Sequence, residues 1–358
     1  MPLLHVEEPS WRLRWHVGAV GFGNCCAFCY HCLQKNFMNA SFHLICNAHL
    51  DPVWLWAWEE GAAEAVATFR TAAELCEEYD GFIFNHNEAV LYEWVRQYEP
   101  ALFARMQRLA AAGRWHIMGG WYLQPDCNMP CGEALVRQVH IGRAYFARHF
   151  GARPRTAINF DPFGHSRGLV QILAKCGFDS YLFGRPTPPE LNLPGEAFVW
   201  RGFDGSRILA RRFPGWYNTP LGKARQTVEE RLAACLKNGD TCAPILWGVG
   251  NHGGGPSRKD LAAITELLLS PAGAAARHST PEAFFDELRA RSSHFPEHAG
   301  DINPWGVGCY TSQVRVKQHY RALENELFLT EKMAAAAALA GLMPYPAAAL
   351  ASAERGMV

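Results

Sequence analysis

From Phe42 to Arg291 short apolar runs alternate with stretches of helical spacing, and this alternation is the strongest constraint on the fold. FHLICNA, GFIFN, RWHIMGG, TAINF, DSYLFGR, RILARR and APILWGV read as strands. Between them lie an Ala-rich stretch from about Glu60 to Glu78 and the segments GEALVRQVHIGRAYFARHF, GLVQILAKCGF and VEERLAACLKNG, all helical in pattern. AVLYEWVRQYEPALFARMQRLAAAG reads as one helix with a glycine stop at Gly113, and SRKDLAAITELLL and PEAFFDELRARS close the series. Strands separated by helices of this length imply parallel β-structure with crossover helices. Roughly seven repeats favour a closed or nearly closed (β/α) barrel over an open sheet. From Thr311 the pattern changes to one long helix, VRVKQHYRALENELFLTEKMAAAAALAGL, which needs partners. The expected organisation is an α/β chain: a leader of doubtful status over 1–37, a seven-stranded (β/α) barrel over 38–300, and the start of an apparently truncated helical bundle over 301–358.

Charge excludes several classes of partner. Lys plus Arg equals Asp plus Glu, 34 against 34. No global field favours nucleic acid, an anionic membrane or an acidic substrate, so a neutral ligand is expected. No apolar stretch approaches the roughly 20 residues that span a bilayer. Four of the twelve cysteines crowd into GNCCAFCYHC, and the rest are scattered singly through apolar contexts, as reduced core thiols are. A cytoplasmic protein is expected, with a homo-oligomer open.

Two short strings carry the chemistry, AHLDPVW and FDPFGHS, each where a strand-like run ends. Residues two apart on extended chain point the same way, so His49 and Asp51 can face one point with Leu50 turned into the wall. Imidazole plus carboxylate suits Zn²⁺ or a similar borderline ion. The bland alternative is a core histidine bonded to a turn aspartate. Asp161 leaves its strand into a Pro and Gly turn, at the barrel face where active sites form; its bland alternative is a helix cap. Trp54, close to the HxD, offers a plate for a sugar face.

The strings NAHLDPVWLW, GRWHIMGGWYLQPDCNMPCGEALVRQ, FDPFGHS, WGVGNHGGGPS and GCYTSQVRVKQ, in this order, resemble the N-terminal catalytic domain of glycoside hydrolase family 38, the retaining α-mannosidases. The resemblance implies a zinc-dependent hydrolase of mannose-containing oligosaccharides, with a seven-stranded barrel followed by a helical bundle. His49, Asp51 and Asp161 match zinc ligands, and Asp161 also matches the nucleophile of the glycosyl-enzyme intermediate. Trp54 matches the aromatic under the mannose, and Arg185 the arginine near the nucleophile. A retaining enzyme needs two carboxyl groups roughly 5 Å apart, one attacking and one protonating the leaving oxygen.

Two positions depart from that pattern. Relatives carry an acid/base Asp where this chain has Asn251, and an amide cannot donate and recover a proton. Either His252 takes the role, or a carboxyl elsewhere such as Asp126 does, or only good leaving groups are cleaved. Relatives also carry a fourth zinc ligand, a histidine, where this chain reads Asn303, Pro304 and Trp305, and His298 lies upstream in a loop. Three protein ligands plus water or sugar oxygens would be the open arrangement of catalytic zinc. Two rival readings stand beside this one. Cys25, Cys29 and Cys32 have the spacing of an iron-sulfur radical enzyme's cluster motif, although Met38 is an alternative start that would make 1–37 artefact. The altered site also fits a non-catalytic, sugar-binding descendant.

Overall fold

The computed structural model describes residues 39–250 and 253–358. The leader, its Cys25/Cys29/Cys32 motif, Asn251 and His252 lie outside the described residues. The rest is an α/β fold built on two five-stranded sheets.

The first sheet is parallel throughout and is organised by β1 (Ser41–Asn47). All seven residues of β1 are buried, as its continuous apolar run requires of a strand covered on both faces. One edge pairs with β8 (Cys242–Trp247), from Ser41 opposite Cys242 to Cys46 opposite Trp247. The other edge is shared. Phe42 to Leu44 pair with β9 (Ala276–His278), and Cys46 and Asn47 pair with β2 (Phe84–His86), which in turn pairs with β3 (Trp115–Ile117).

The second sheet runs β10 (Glu297–His298), β6 (Ala197–Arg201), β7 (Arg207–Arg212), β5 (Ser180–Phe183), β4 (Thr156–Asn159). Its β6–β7 pair is antiparallel, a hairpin turned at Asp204 and Gly205, where φ is +85° and a side chain would be strained. Among the described residues no ladder joins the two sheets. Side-chain bonds do: the Trp121 indole N–H donates to the Ile158 carbonyl at 2.8 Å, and the Phe160 N–H donates to Gln124 Oε1 at 2.7 Å.

Helices cover the sheets where the sequence placed them, with one correction. The segment read as a single helix to Gly113 is two, α2 (Ala89–Tyr98) and α3 (Pro100–Ala111), which follow α1 (Trp58–Glu78). Pro100 forbids the helical conformation to the residue before it, and Glu99 turns away at φ −136°. Then come α4 (Gly132–Phe150), ended by Gly151 at φ +64°, α5 (Gly168–Lys175), α6 (Ala224–Lys237), α7 (Arg258–Leu268) and α8 (Pro281–Arg291). Ser257 and Thr280 cap α7 and α8 by accepting the amides of Asp260 and Ala283. Beneath α1, α2 and α4, aromatic rings of Phe69, Phe84, Tyr92, Trp115 and Phe146 pack edge to face or tilted.

Past a short turn of helix, α9 (Gly308–Thr311), the predicted long helix is α10 (Val314–Leu339), and α11 (Ala347–Met357) folds back beside it. Leu327, Ala334, Leu350 and Met357 pack on Ala134 of α4, and Arg137 of α4 pairs with Glu331 at 2.6 Å and Glu354 at 3.3 Å. Only Glu324, Leu327 and Ala334 of α10 are buried. The helical segment is thus a pair of helices docked on α4.

Candidate active site

The segments that follow β1, β2, β3 and β4 each send a polar side chain to a common cleft of about 210 Å³. Its walls include His49, Asp51, Glu88, Gln124, Asp126, Asp161 and Phe163. Residues from the C-terminal ends of parallel strands from both sheets therefore meet at one place.

Three of the predicted residues converge. One ligand atom each from His49, Asp51 and Asp161 lies within 4.8 Å of the others. Leu50, between the first two, is buried as the alternation requires. His49 Nε2 is 3.2 Å from Asp51 Oδ1, yet this buried nitrogen has no hydrogen bond of acceptable geometry. A buried imidazole nitrogen that has an ion-pair contact but no well-aligned hydrogen bond, beside two carboxylates, is a donor set a divalent metal can complete. The residues present therefore fit a metal ion.

Asp161 is gripped at one carboxylate oxygen and at its carbonyl. Arg185 Nη1 forms an ion pair with Asp161 Oδ1 at 2.6 Å and donates to the Asp161 carbonyl at 2.8 Å, and the Tyr217 hydroxyl donates to the same Oδ1 at 2.9 Å. Tyr217 is held from β1, because Asn47 Nδ2 donates to its carbonyl at 3.0 Å and to that of Trp247 at 3.3 Å. Its ring also leans on His49, with centroids 4.5 Å apart.

Electrostatics follow from this geometry. Burial alone would lower the His49 pKa, but the Asp51 carboxylate, with Glu88 and Asp161 further off, holds it above its ordinary value. Burial raises Glu88 to about 7, opposed by His49 and reinforced by Asp51. Burial and then the Asp161 charge push the Tyr217 hydroxyl up, so it stays a donor.

The other predicted residues distribute unevenly. Arg185 is in place on Asp161. Asp126 lines the cleft, but its Oδ1 accepts the amides of Asn128 and Met129 at 2.8 and 2.9 Å and so braces its own turn. Trp54 stands outside the cleft walls, 61 % exposed, edge to face with Trp56. Asn303 is turned away: Asn128 Nδ2 donates to its Oδ1 at 3.2 Å, against Gly164. His298 is bonded to the Asp301 carbonyl at 3.3 Å and is not among the clustered ligand atoms. No fourth ligand joins the three among the described residues.

Glu88, Gln124 and Tyr217 were not anticipated. Glu88 is buried at φ +67°, a region costly for a side chain and found where a site over-determines the backbone. Gln124 donates to Glu88 at 3.3 Å while accepting the amide before Asp161. Only Glu88 sits just past its strand; Gln124 and Tyr217 lie further along the loops after β3 and β7, where no local pattern marks them.

Comparison with known proteins places the chain. Residues 39–306 match the glycosyl hydrolases family 38 N-terminal domain, and the chain belongs to that family. Alpha-mannosidase 2C1 of Mus musculus is 31% identical over 317 residues, 87% of this chain and 30% of the relative. Alpha-mannosidase G of Dictyostelium discoideum is 29% identical over 294 residues, 80% of this chain and 27% of the relative. The chain thus spans under a third of the length of these relatives. In fold, an alpha-mannosidase from Enterococcus faecalis V583 superposes with a TM-score of 0.61 at 18% identity, over 74% of this chain and 31% of that one.

Proposed function

We propose that this chain carries the catalytic centre of a zinc-dependent retaining α-mannosidase, with Asp161 as nucleophile and α-mannosides of oligosaccharides or glycan fragments as substrates. The single observation that carries the reading is the convergence of His49, Asp51 and Asp161, with a buried His49 Nε2 that makes no well-aligned hydrogen bond, at the strand ends of a family 38 chain. The closed seven-stranded barrel and a full helical bundle belong to the same proposal. The meeting of both sheets' strand ends at one cleft supports the barrel.

His49, Asp51 and Asp161 would hold the ion, whose bound charge supplies a Lewis-acid template for sugar hydroxyls. The protein's own groups do the rest. Arg185, by its ion pair, and Tyr217, by its hydrogen bond, meet Asp161 Oδ1 and hold the carboxylate in place. An Asp161 oxygen attacks C1 as the bond from C1 to the leaving oxygen breaks. The departing oxygen takes a proton from His252 or a cleft carboxyl, or leaves unaided when it is a good leaving group. Water then adds at C1 and gives up its proton to the same base. The bond from C1 to the Asp161 oxygen breaks, and the carboxylate is restored. Trp54 lies on the segment leading from Asp51 and would reach the sugar only when the substrate extends beyond the cleft. The eight cysteines described are all free thiols, which supports a reducing, cytoplasmic setting. No helix of the described residues is long and apolar enough to cross a membrane.

The test is hydrolysis of an aryl α-mannoside by the zinc-loaded chain. Turnover that falls at least about 10³-fold in Asp161→Ala supports the nucleophile. Mannose binding without turnover in the wild type would point instead to a sugar-binding descendant.

A further inference from the structure

One of the two segments that depart from the family pattern, Asn303 to Trp305, delivers an indole to Arg185, the cation paired with Asp161. Arg185 is 9 % exposed, and its guanidinium carbon lies 4.0 Å from the centroid of the Trp305 ring, 4.5 Å from that of Trp216 and 5.3 Å from that of Phe163. Phe163 and Trp305 stack on each other, 5.1 Å apart at 13°. Arg185 Nε is buried and lacks a hydrogen-bond acceptor, so what surrounds it is aromatic faces. Trp305 is itself anchored: Ile302 and His165 exchange backbone hydrogen bonds at 2.9 and 3.0 Å just upstream, and Gly306 at φ +56° lets the chain turn against Phe163.

We infer that Trp305, acting with Trp216, is a positioning residue that clamps Arg185 onto Oδ1 of Asp161 and so reserves Oδ2 for the sugar or the metal. The two groups recorded against the carboxylate, Arg185 Nη1 in its 2.6 Å ion pair and the Tyr217 hydroxyl in its hydrogen bond, both stand on Oδ1, and among the described residues no hydrogen bond ends on Oδ2. An unclamped arginine is long and flexible enough to slide across both oxygens and block the second. A stacked guanidinium is confined to a plane, and its fork keeps one geometry. Trp305 touches neither sugar nor metal in this role and acts through Arg185. The inference rests on the mannosidase reading only for what Oδ2 does.

The experiment compares the full chain with Trp305→Ala, Trp305→Phe and Arg185→Lys by two readouts. One is the Nε–H signal of Arg185 in ¹H–¹⁵N spectra, assigned by its loss in Arg185→Lys. The other is kcat and KM on an aryl α-mannoside. A clamped arginine gives a ring-shifted, slowly exchanging signal that Trp305→Ala abolishes and Trp305→Phe keeps. In parallel kcat falls about tenfold in Trp305→Ala, the scale of a desolvated cation–π contact, with KM nearly unchanged and substantial recovery in Trp305→Phe. An Arg185 signal indifferent to Trp305→Ala, a Phe variant as impaired as the Ala variant, or a change confined to KM would overturn the clamp. If the wild type shows the locked signal, lost in Trp305→Ala, but turns over no mannoside, the clamp stands and the mannosidase reading fails.

Discussion

Two histidine clusters flank strand β1, one near its start and one just past its end, and only the second leaves room for a ligand. At its start, ligand atoms of His43, Cys242 and Glu287 lie within 4.8 Å of one another, as those of His49, Asp51 and Asp161 do beyond its end. The first cluster is saturated. His43 Nδ1 meets Ser279 Oγ at 2.7 Å and Nε2 meets Glu287 at 3.1 Å, while Arg277 and Arg291 both donate to Glu287. Arg277 even stands 3.3 Å from the same His43 nitrogen a metal would need. Beyond the other end, two carboxylates face one guanidinium, and His49 Nε2 has no hydrogen bond. Residue type and proximity are alike at the two places. Unmet valence and surplus negative charge separate a site from a lock that ties β1 to α8.

The sharpest way to break that contrast is metal binding. Calorimetric titration of the chelator-treated chain with Zn²⁺ should show one ion, and His49→Ala should weaken it by more than the roughly 10–100-fold typical of losing an outer-shell partner. His43→Ala should leave the affinity unchanged while lowering the melting temperature. Equal loss of zinc in both variants would erase the distinction.

Protonation should separate the two histidines next, because they shift in opposite directions. Burial, reinforced by Arg277, lowers His43 to about 4 despite Glu287. In the folded state it refuses a proton that the unfolded chain accepts below about 6.5, so it costs stability as pH falls from there toward 4. Burial likewise lowers His86 to about 3 and His165 and His278 to about 4, so the metal-free chain should lose stability steeply on that limb. His43→Asn should flatten it. His49 is raised, so its contribution is full below about 6.5 and is lost as pH rises through its folded value. Glu88, raised to about 7, behaves likewise: its stability is full below the ordinary carboxylate range and disappears as pH climbs through 7. Glu88→Gln should therefore raise the melting temperature of the metal-free chain at pH 8 and leave it unchanged near pH 4. NMR titration of both imidazoles and melting curves across pH check these signs, and a His43 that titrates above His49 would refute the assignment.

The same contrast explains what was legible in the sequence. His49, Asp51 and Asp161 could be read because strand periodicity places them past apolar runs, and Arg185 because the family resemblance supplied it; the structure brings the four side chains together. The hairpin partner AFVWR of β6 was missed although Asp204 and Gly205 mark its turn, because its pairing is antiparallel in a chain read as parallel throughout. Glu88 escaped because its role comes from burial and a left-handed backbone that only tertiary packing imposes. Trp305 escaped because its meaning lies in Arg185, 120 positions earlier in the chain, and no local pattern couples them.

A smaller effect probes how the metal loop is held. Gly61 lies in the first turn of α1, and a side chain there would run into the carbonyl of Pro52, the residue after Asp51, which we propose as a metal ligand. The helix can approach the loop so closely only because Gly61 has no Cβ. Gly61→Ala must push Pro52 outward, since backbone on both sides cannot yield as a flexible side chain would. The displaced loop should carry Asp51 off the common point it shares with His49 and Asp161. A loss of about tenfold in Zn²⁺ affinity is expected, about 1.4 kcal/mol, with the imidazole of His43 titrating as before. The undisturbed His43 then serves as the internal control that the start of β1 has not moved. Unchanged zinc affinity in a well-folded Gly61→Ala variant would mean that the loop adapts, and that Asp51 owes its place to the metal rather than to the packing of α1.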